Sequence, residues 1–393
     1  MRIGAPTISK RSDEFVCSFP VFTGRDARLL SYSVQSEYES FLSPIADAAL
    51  VALLVPAMAR GQDIHLETPA SERLVKSLSG AAQSVLCAVM PKLKRVAIVA
   101  EGGFAPNHKR ADGVATGFSG GIDSYCTLAD YHYGNPAPSN RLTHLTFHCV
   151  GSATEGGANF AERYFRLSPI TERTKLPFVS VHSNLHEFYS RELGFQQTHT
   201  MRNASVPLLL QNGIGRFFYS ATYPYQDVFV RPTHDIAHAD PLLLPLLSTD
   251  ALDLVSAGSE YDRVEKTLKV ADIADAWDSL DVCFRTNGSN CSNCAKCKRT
   301  MLTLDIAGKL DRFSVFDVAH YRKNKFRYFG AALRADADVF FRDVIEFAKR
   351  ENYPIPRVSY VWARLSSAKY RLMRLVRPRS DGTAKTRETK DVP

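Results

Sequence analysis

The 393-residue chain has no uninterrupted apolar run of the ~20 residues needed to cross a bilayer. Its longest apolar stretch, Asp47 to Met58, contains a proline and predicts a buried helix instead. The opening Met1-Arg2-Ile3-Gly4-Ala5-Pro6 lacks the charged head and apolar centre of a signal peptide, so a cytoplasmic location is expected. Eight cysteines in a chain of this length fall short of the disulfide density of small secreted folds. The glycine-lysine-serine/threonine ending of a Walker A loop is missing, and so is any internal repeat. Acidic residues are absent between Arg357 and Arg379, where seven basic ones stand. Without that stretch the net charge of +8 would nearly vanish, so basicity belongs to the C-terminal segment and not to the whole surface. An apolar content of 45% and a charged content of 23% exclude a largely disordered chain.

What is present suggests three segments. Residues 1–111 read as a small α+β unit: strand-like Phe15–Phe22 and Ala27–Val34, helix-like Ala46–Ala59 and Glu72–Val89, extended Ile64–Glu67, and a β-branched run at Arg95–Ala100. Turn residues Glu101–Asn107 suggest a linker. From 112 to 317 strands and helices alternate. Strands are expected at Gly113–Phe118, Leu142–Cys149, Phe178–His182, Arg216–Ala221 and Leu252–Ala257, and helices at Ile122–Tyr133, Ala158–Thr174, Ala204–Asn212 and Arg263–Ala276. Such alternation implies an α/β fold, a parallel sheet with helices on both faces, whose ligands bind beyond the carboxyl ends of the strands. Residues 318–393 read as a basic helical extension and a polar tail.

The first of these parallel strands runs into Thr116-Gly117-Phe118-Ser119-Gly120-Gly121-Ile122-Asp123-Ser124. Adjacent glycines turn the backbone sharply and present amides without obstruction, and a following helix adds unpaired N–H groups. With hydroxyls at Ser119 and Ser124, and Asp123 able to hold Mg²⁺, the segment suits a phosphate cradle. Two other readings stand beside it: the Gly-x-Ser-x-Gly elbow of an esterase, which leaves Asp123 and Ser124 unexplained, and a plain tight turn.

Four of the eight cysteines, Cys283, Cys291, Cys294 and Cys297, fall within fifteen residues around the turn-rich Thr286–Asn290. Four thiolates at such spacings suit a tetrahedral, structural zinc, with Lys296, Lys298 and Arg299 placed to offset the charge. An iron–sulfur cluster or unligated core cysteines fit the same count.

Ser119-Gly120-Gly121-Ile122-Asp123-Ser124 opening an α/β unit resembles the PP-loop of the ATP pyrophosphatases. Together with the cysteine spacing it is similar to the 7-cyano-7-deazaguanine synthase family, over about residues 112–315. The longer N-terminal unit and C-terminal extension look more like the anti-phage-defence relatives of that family. The resemblance implies a doubly wound, Rossmann-like sheet of the HUP type, a PP-loop and a four-cysteine zinc knuckle. It also implies ATP, Mg²⁺ and Zn²⁺ as cofactors. A carboxylate of the 7-carboxy-7-deazaguanine type would be adenylated with release of pyrophosphate and passed to an amine, either ammonia or the N-terminus of a partner protein.

Carried over residue by residue, Ser119, Gly120, Gly121, Ile122, Asp123 and Ser124 hold phosphate. Arg202-Asn203 matches an arginine-asparagine pair, and Lys266 matches a lysine near the base of the site. Arg263 would help steady the α-phosphate. Ser119, Asp123, Lys266 and Arg202 are the expected catalytic residues. The chain departs from the family at His148-Cys149-Val150-Gly151, at His199-Thr200-Met201 and around His238-Ala239-Asp240-Pro241, all on the acceptor side. The rival expectations are a PP-loop enzyme that thiolates tRNA and a module that senses ATP without turnover. A homodimer is compatible with each.

Other residues invite blander readings. His144 and His148 lie about 13 Å apart along a strand, too far for one metal. His182/His186 and His234/His238 share the spacing, the last pair near Asp235 and Asp240, where polar groups of a substrate pocket are expected. Cys126 reads as a core cysteine before a nucleophile. Val358, Val361, Trp362, Leu365, Leu372, Met373 and Val376 recur at helical spacing among cations, as in a helix packed on its own core or docked on RNA, an anionic partner or a membrane surface.

Overall fold

A computed structural model describes residues 1–106, 109–151, 157–283, 290–334 and 338–376. Asn107 of the expected linker, residues 286–289 of the cysteine turn and the polar tail lie outside them. Eleven strands make one sheet: β1 (Arg2–Ile3), β2 (Thr7–Arg11), β3 (Glu14–Thr23), β4 (Asp26–Gln35), β5 (Ile64–Leu66), β6 (Ile98–Val99), β7 (Gly113–Gly117), β8 (His144–Cys149), β9 (Phe178–Ser183), β10 (Ile214–Ser220) and β11 (Asp253–Ala257). The helices are α1 (Asp47–Arg60), α2 (Glu72–Ser79), α3 (Ala81–Val89), α4 (Ile122–Leu128), α5 (Gly157–Leu167), α6 (Ile170–Thr174), α7 (Phe195–Leu209), α8 (Asp240–Leu246), α9 (Arg263–Ala271), α10 (Ala295–Ile306), α11 (Val318–Ala332), α12 (Val339–Arg350) and α13 (Arg357–Val376). The fold is α/β with a mostly parallel sheet.

The strands lie in the order β11-β10-β7-β8-β9-β4-β3-β1-β5-β6, with β2 on β3. Neighbours from β11 through β9 run parallel, and the order reverses between β7 and β10. At such a reversal the connections leave to opposite faces and open a crevice beyond the strands' carboxyl ends. The N-terminal strands belong to the same sheet, because β4 pairs antiparallel with β9 through Tyr32↔Ser183, Ser33↔His182 and Val34↔Val181. The boundary expected near residue 111 thus falls within a continuous hydrogen-bonded surface.

By contacts the chain divides into two compact units, Met1–Ser119 with Thr127–Glu260, and Gly120–Cys126 with Tyr261–Pro393. Unit 1 holds the whole sheet. Its central helix α1 is buried from Asp47 through Met58, which is why its sequence is apolar on every side. Pro56 lacks the N–H that would reach the carbonyl of Ala52. The Tyr189 hydroxyl donates to that carbonyl instead, at 2.8 Å. At the seam of β7 and β10 the register slips between Ile214 and Arg216. Gly215 sits in that slip, where a Cβ would come within 1.9 Å of the Ala111 carbonyl oxygen.

Unit 2 is helical. The Asp305 carboxylate ties α10 to α11 and to the segment after α12, accepting from Tyr321 Oη (2.8 Å), Tyr353 Oη (2.5 Å) and Lys325 Nζ (2.7 Å). α13 packs on α11 where Gly330 admits the Trp362 ring, 2.5 Å from where a Cβ would stand.

Several elements differ from expectation. The helix expected over Glu72–Val89 breaks at Gly80 (φ −133°, ψ −93°). Only Ile98–Val99 of the Arg95–Ala100 run pairs as a strand. The helix expected from Ala204 begins nine residues earlier, at Phe195, and Val318–Val376 is three helices.

Candidate functional site

The glycine bend after β7 lies where the sequence places it. Gly120 has φ +75°, a left-handed conformation that costs any other residue about 1–2 kcal/mol. Its carbonyl accepts from the Asp281 N–H at 2.8 Å, and the Gly121 carbonyl accepts from Tyr125 N (3.0 Å) and Ser124 Oγ (2.9 Å). In a planar trans peptide the next N–H points away from the carbonyl. Anchoring these two oxygens therefore directs the amides of Gly121 and Ile122 to the opposite side. Ser124 is buried and spends its hydroxyl bracing the bend, whereas Ser119, at the end of its unit 1 segment, is exposed.

Asp123 stands at the centre of the unit 2 cluster. Arg263 grips it in two-point fashion, Nη1 to Oδ1 and Nη2 to Oδ2, both at 3.0 Å, and Lys266 Nζ lies 3.4 Å from Oδ1. Both cations come from the first turn of α9, three residues apart and so on one face. A reciprocal capping box between Asp262 and Glu265 fixes that turn. Burial opposes the Asp123 charge, but Arg263, Lys266 and Lys296 outweigh it and hold the carboxyl below the ordinary range. Lys266 is only 1% exposed, and burial lowers its pKa against the pull of Asp123. Lys296 is exposed as a residue, yet desolvation of its ammonium and the nearby Arg299 and Arg263 lower its pKa.

Arg263 and Arg299 also face one ring, Phe340, with guanidinium carbons 5.1 and 4.2 Å from its centroid. Arg263, Lys266 and Lys296 thus act on Asp123, while Arg299, beside Lys296, lies 3.8 Å from the carboxylate of Asp338. Such an excess of buried or partly buried positive charge is what a polyanion relieves. Both oxygens of Asp123 thus face cations of α9.

The sulfurs of Cys283, Cys291, Cys294 and Cys297 lie within 4.8 Å of one another. Closest pairs are Cys294–Cys297 at 3.5 Å, Cys283–Cys294 at 3.9 Å and Cys291–Cys297 at 4.0 Å. Four thiolates about 2.3 Å from a tetrahedral ion would stand about 3.8 Å apart, so the donor set fits a single metal ion such as zinc. A multi-iron cube would spread the sulfurs by its own width. Cys294 caps α10, and its sulfur accepts the Cys297 amide. Hydrogen bonds from the Cys297 thiol and amide hold Cys294 below the ordinary thiol range, against burial. Among the described residues no other histidine, cysteine or carboxylate group gathers for a metal.

Arg202 and Asn203 lie in unit 1, in the middle of α7 and not at its start. The Arg202 guanidinium is buried, donating to Thr198 Oγ1 (2.9 Å) and to the carbonyls of Gly151, Leu193 and Val150, and it lies 3.7 Å over the Tyr189 ring. Asn203 spans His199 O (2.9 Å) and His148 Nδ1 (3.2 Å). Cys126 is buried.

Polar groups expected around Asp235 form a second cluster at the carboxyl end of β10, joined by His199 of α7. His199 Nδ1 meets Tyr219 Oη at 2.9 Å, and His199 Nε2 meets Asp235 Oδ1 at 3.3 Å. Asp235 also accepts from Ala237 N (3.0 Å), Tyr223 Oη (3.1 Å) and Gln196 Nε2 (2.5 Å). These residues come from α7, from β10 and from the loop after β10, and polar residues in that loop carry no periodic signal.

Comparison with known proteins adds no neighbour: no family model, no curated protein and no solved structure matches the chain.

Proposed function

We propose that the chain is an ATP-dependent adenylating enzyme of the PP-loop class, with a structural zinc and similar in activity to the 7-cyano-7-deazaguanine synthases. The observation that carries this reading is the cluster of Arg263, Lys266 and Lys296 around Asp123, next to a glycine bend whose carbonyls are anchored so that its amides face the other way. Supporting it, the parallel strands follow the order 3-2-1-4-5 of doubly wound, Rossmann-like sheets, and the bend follows the strand at the reversal point. The four-thiolate geometry fits the zinc knuckle of that reading.

The carboxylate substrate, a deazapurine acid of the 7-carboxy-7-deazaguanine type, attacks the α-phosphorus of ATP. A C–O–P bond forms and the bond to the β-phosphate oxygen breaks. Pyrophosphate gathers charge as it departs, and donors fixed in advance stabilise that charge most effectively. The amides of Gly121 and Ile122 and the hydroxyl of Ser119 would bind it, while Lys266 and Arg263 balance the charge from the side of Asp123. An amine then displaces AMP from the acyl carbon. Arg202 and Asn203 shape the unit 1 crevice through their hydrogen bonds. Cys283, Cys291, Cys294 and Cys297 would hold the zinc, which would serve structure and not the reaction.

The test is incubation with ATP and 7-carboxy-7-deazaguanine, with and without ammonia, following nucleotide products and product mass. AMP and pyrophosphate are expected, with a mass gain on the acid when an amine is present. ADP as product would overturn the reading. Tight ATP binding without turnover would make the chain a sensing module, and AMP formation that requires tRNA and a sulfur donor would make it a thiolation enzyme.

A further inference from the structure

The last helix of unit 2, α13, turns its apolar side outward. Val358, Val361 and Leu365 are 51%, 57% and 66% exposed, while Ser359 and Ala363 are buried. Among the described residues no other helix or strand shows more than one exposed large apolar side chain, whereas α13 shows these three and Tyr360 within eight positions. The packed side is set by a close approach to α11. Gly330 admits the Trp362 ring there, and the Ser359 carbonyl oxygen lies 3.2 Å from where a Cβ would stand. Ser359 Oγ is buried with no hydrogen-bond partner. Rotating the helix to bury its aliphatic residues would break this contact, so the outward stripe belongs to the fold.

The stripe has the period of a coiled-coil seam. Val358, Val361 and Leu365 stand three and then four residues apart, and Ala368, Leu372 and Leu375 continue that alternation in the sequence to the end of the helix. In a heptad, Val358, Leu365 and Leu372 fall at a, and Val361, Ala368 and Leu375 at d. A strict two-in-seven stripe is narrower than the face by which a helix packs on a globular core. The charge along its margin has one sign. Arg357, Arg364 and Arg371 take the g position before each a, and Lys369 takes an e position. Arg357 and Arg364 are exposed, and no acidic residue stands between Glu351 and Asp381.

Residues at e and g border the seam and face the partner helix, where opposite charges favour pairing and like charges oppose it. A second copy of α13 would bring cations against cations with no acid to relieve them. A nucleic acid would neutralise the cations but leave the aliphatic seam in water. An anionic bilayer shares the charge, but a helix lying in it immerses a broad apolar face. We infer that the outer face of α13 is the docking surface for an acidic amphipathic helix of another protein, one with aliphatic residues at its own a and d positions and carboxylates beside them. Its seam would cover Val358, Val361 and Leu365, and its carboxylates would meet Arg357 and Arg364. The surface lies outside the phosphate-handling residues, so docking needs no ATP and stands whether or not the chain adenylates a substrate.

The probe is a fluorescein-labelled synthetic peptide of three heptads, with leucine at a and d and glutamate at e and g, titrated with the full chain and followed by fluorescence anisotropy. Saturable binding is expected, and the same peptide with lysine in place of glutamate should bind about tenfold more weakly or worse. Leu365→Asp sets a charge in the seam and should weaken the acidic peptide by about tenfold or more. The double variant Arg357→Glu/Arg364→Glu should invert the preference, so that the lysine peptide binds more tightly than the glutamate peptide by about tenfold. Neither unfolding nor non-specific adhesion produces such a reversal. Should Leu365→Asp fail to fold, the inversion in the arginine variant alone decides. Absence of peptide binding by the unmodified chain, or binding indifferent to Leu365→Asp and to peptide charge, would overturn the docking site. So would retention on phosphatidylglycerol vesicles or on single-stranded RNA, in place of the peptide, that Leu365→Asp abolishes. A dimer in sedimentation velocity that Leu365→Asp turns into a monomer would assign the face to a second copy and overturn it too.

Discussion

At the scale of single residues, Asp123 shows how a short motif is completed by distant chain. The loop was legible because glycine, serine and aspartate each have a local reason to be there. The two-point grip by Arg263 was not, since no periodicity links residues 140 positions apart. Gly120→Ala should destabilise the bend by about 1–2 kcal/mol, because φ +75° is left-handed, and should weaken ATP binding in a calorimetric titration. A result equal to the unmodified protein would mean that the bend tolerates a Cβ.

Arg263→Gln and Lys266→Gln should each slow pyrophosphate release by about 10²–10³-fold if they stabilise developing charge. Asp240 supplies a pH signature. Burial raises its carboxyl to about 6. A folded-state pKa above the unfolded value of about 3.9 means that the native protein binds the extra proton, so stability falls as pH rises from about 4 to 6. The loss approaches 3 kcal/mol. Asp240→Asn should flatten that part of a denaturation series, and an unchanged slope would assign it to another group.

At the scale of elements, the sequence was most readable where one period ran without interruption. α1 has apolar residues on every side and is buried, and the parallel strands were found within a residue or two because each carries buried apolar residues bounded by turn or polar residues. The first half of α7 was missed for the opposite reason. Phe195-Gln-Gln-Thr-His-Thr puts polar groups toward the interior, where His199 and Thr200 have partners that only the folded chain supplies. α10 was hidden by its own N-terminus, because Cys294 and Cys297, read as part of a four-cysteine cluster, obscure a helical pattern. At the other end of the unit, Gly330→Ala would drive a methyl into the Trp362 ring, and overpacking of this kind costs about 1–3 kcal/mol. Faster hydrogen exchange across α13, with α9 unaffected, is the expected result. Val358, Val361 and Leu365 are exposed on that helix among its cations, so the apolar spacing seen in the sequence is only partly a packing face.

At the scale of the whole molecule, strand pairing was the least legible feature. The residues of β4 and β9 that meet, Tyr32 and Ser183, are separated by about 150 positions, and nothing local in either strand specifies the other. A separate N-terminal domain was the natural expectation, whereas the hydrogen bonds run on without a break. Metal content can be followed with the protein's own reporters. Both tryptophans, Trp277 and Trp362, belong to unit 2, as do the four clustered cysteines. One zinc per chain is expected by elemental analysis. Its removal by a chelator should lower the melting temperature seen by tryptophan emission, because a structural ion contributes its binding energy to folding. Cys297→Ser should have the same effect without chelator. An unchanged melting curve after complete metal loss would show that the thiols are core residues. Finally, the seven residues from Gly120 to Cys126 belong with Tyr261 onward, while the chain on either side of them does not. No single scission can therefore yield two self-sufficient fragments: a recombinant piece starting at Tyr261 would be born without its own aspartate, and complementation in trans would need that heptapeptide supplied from elsewhere.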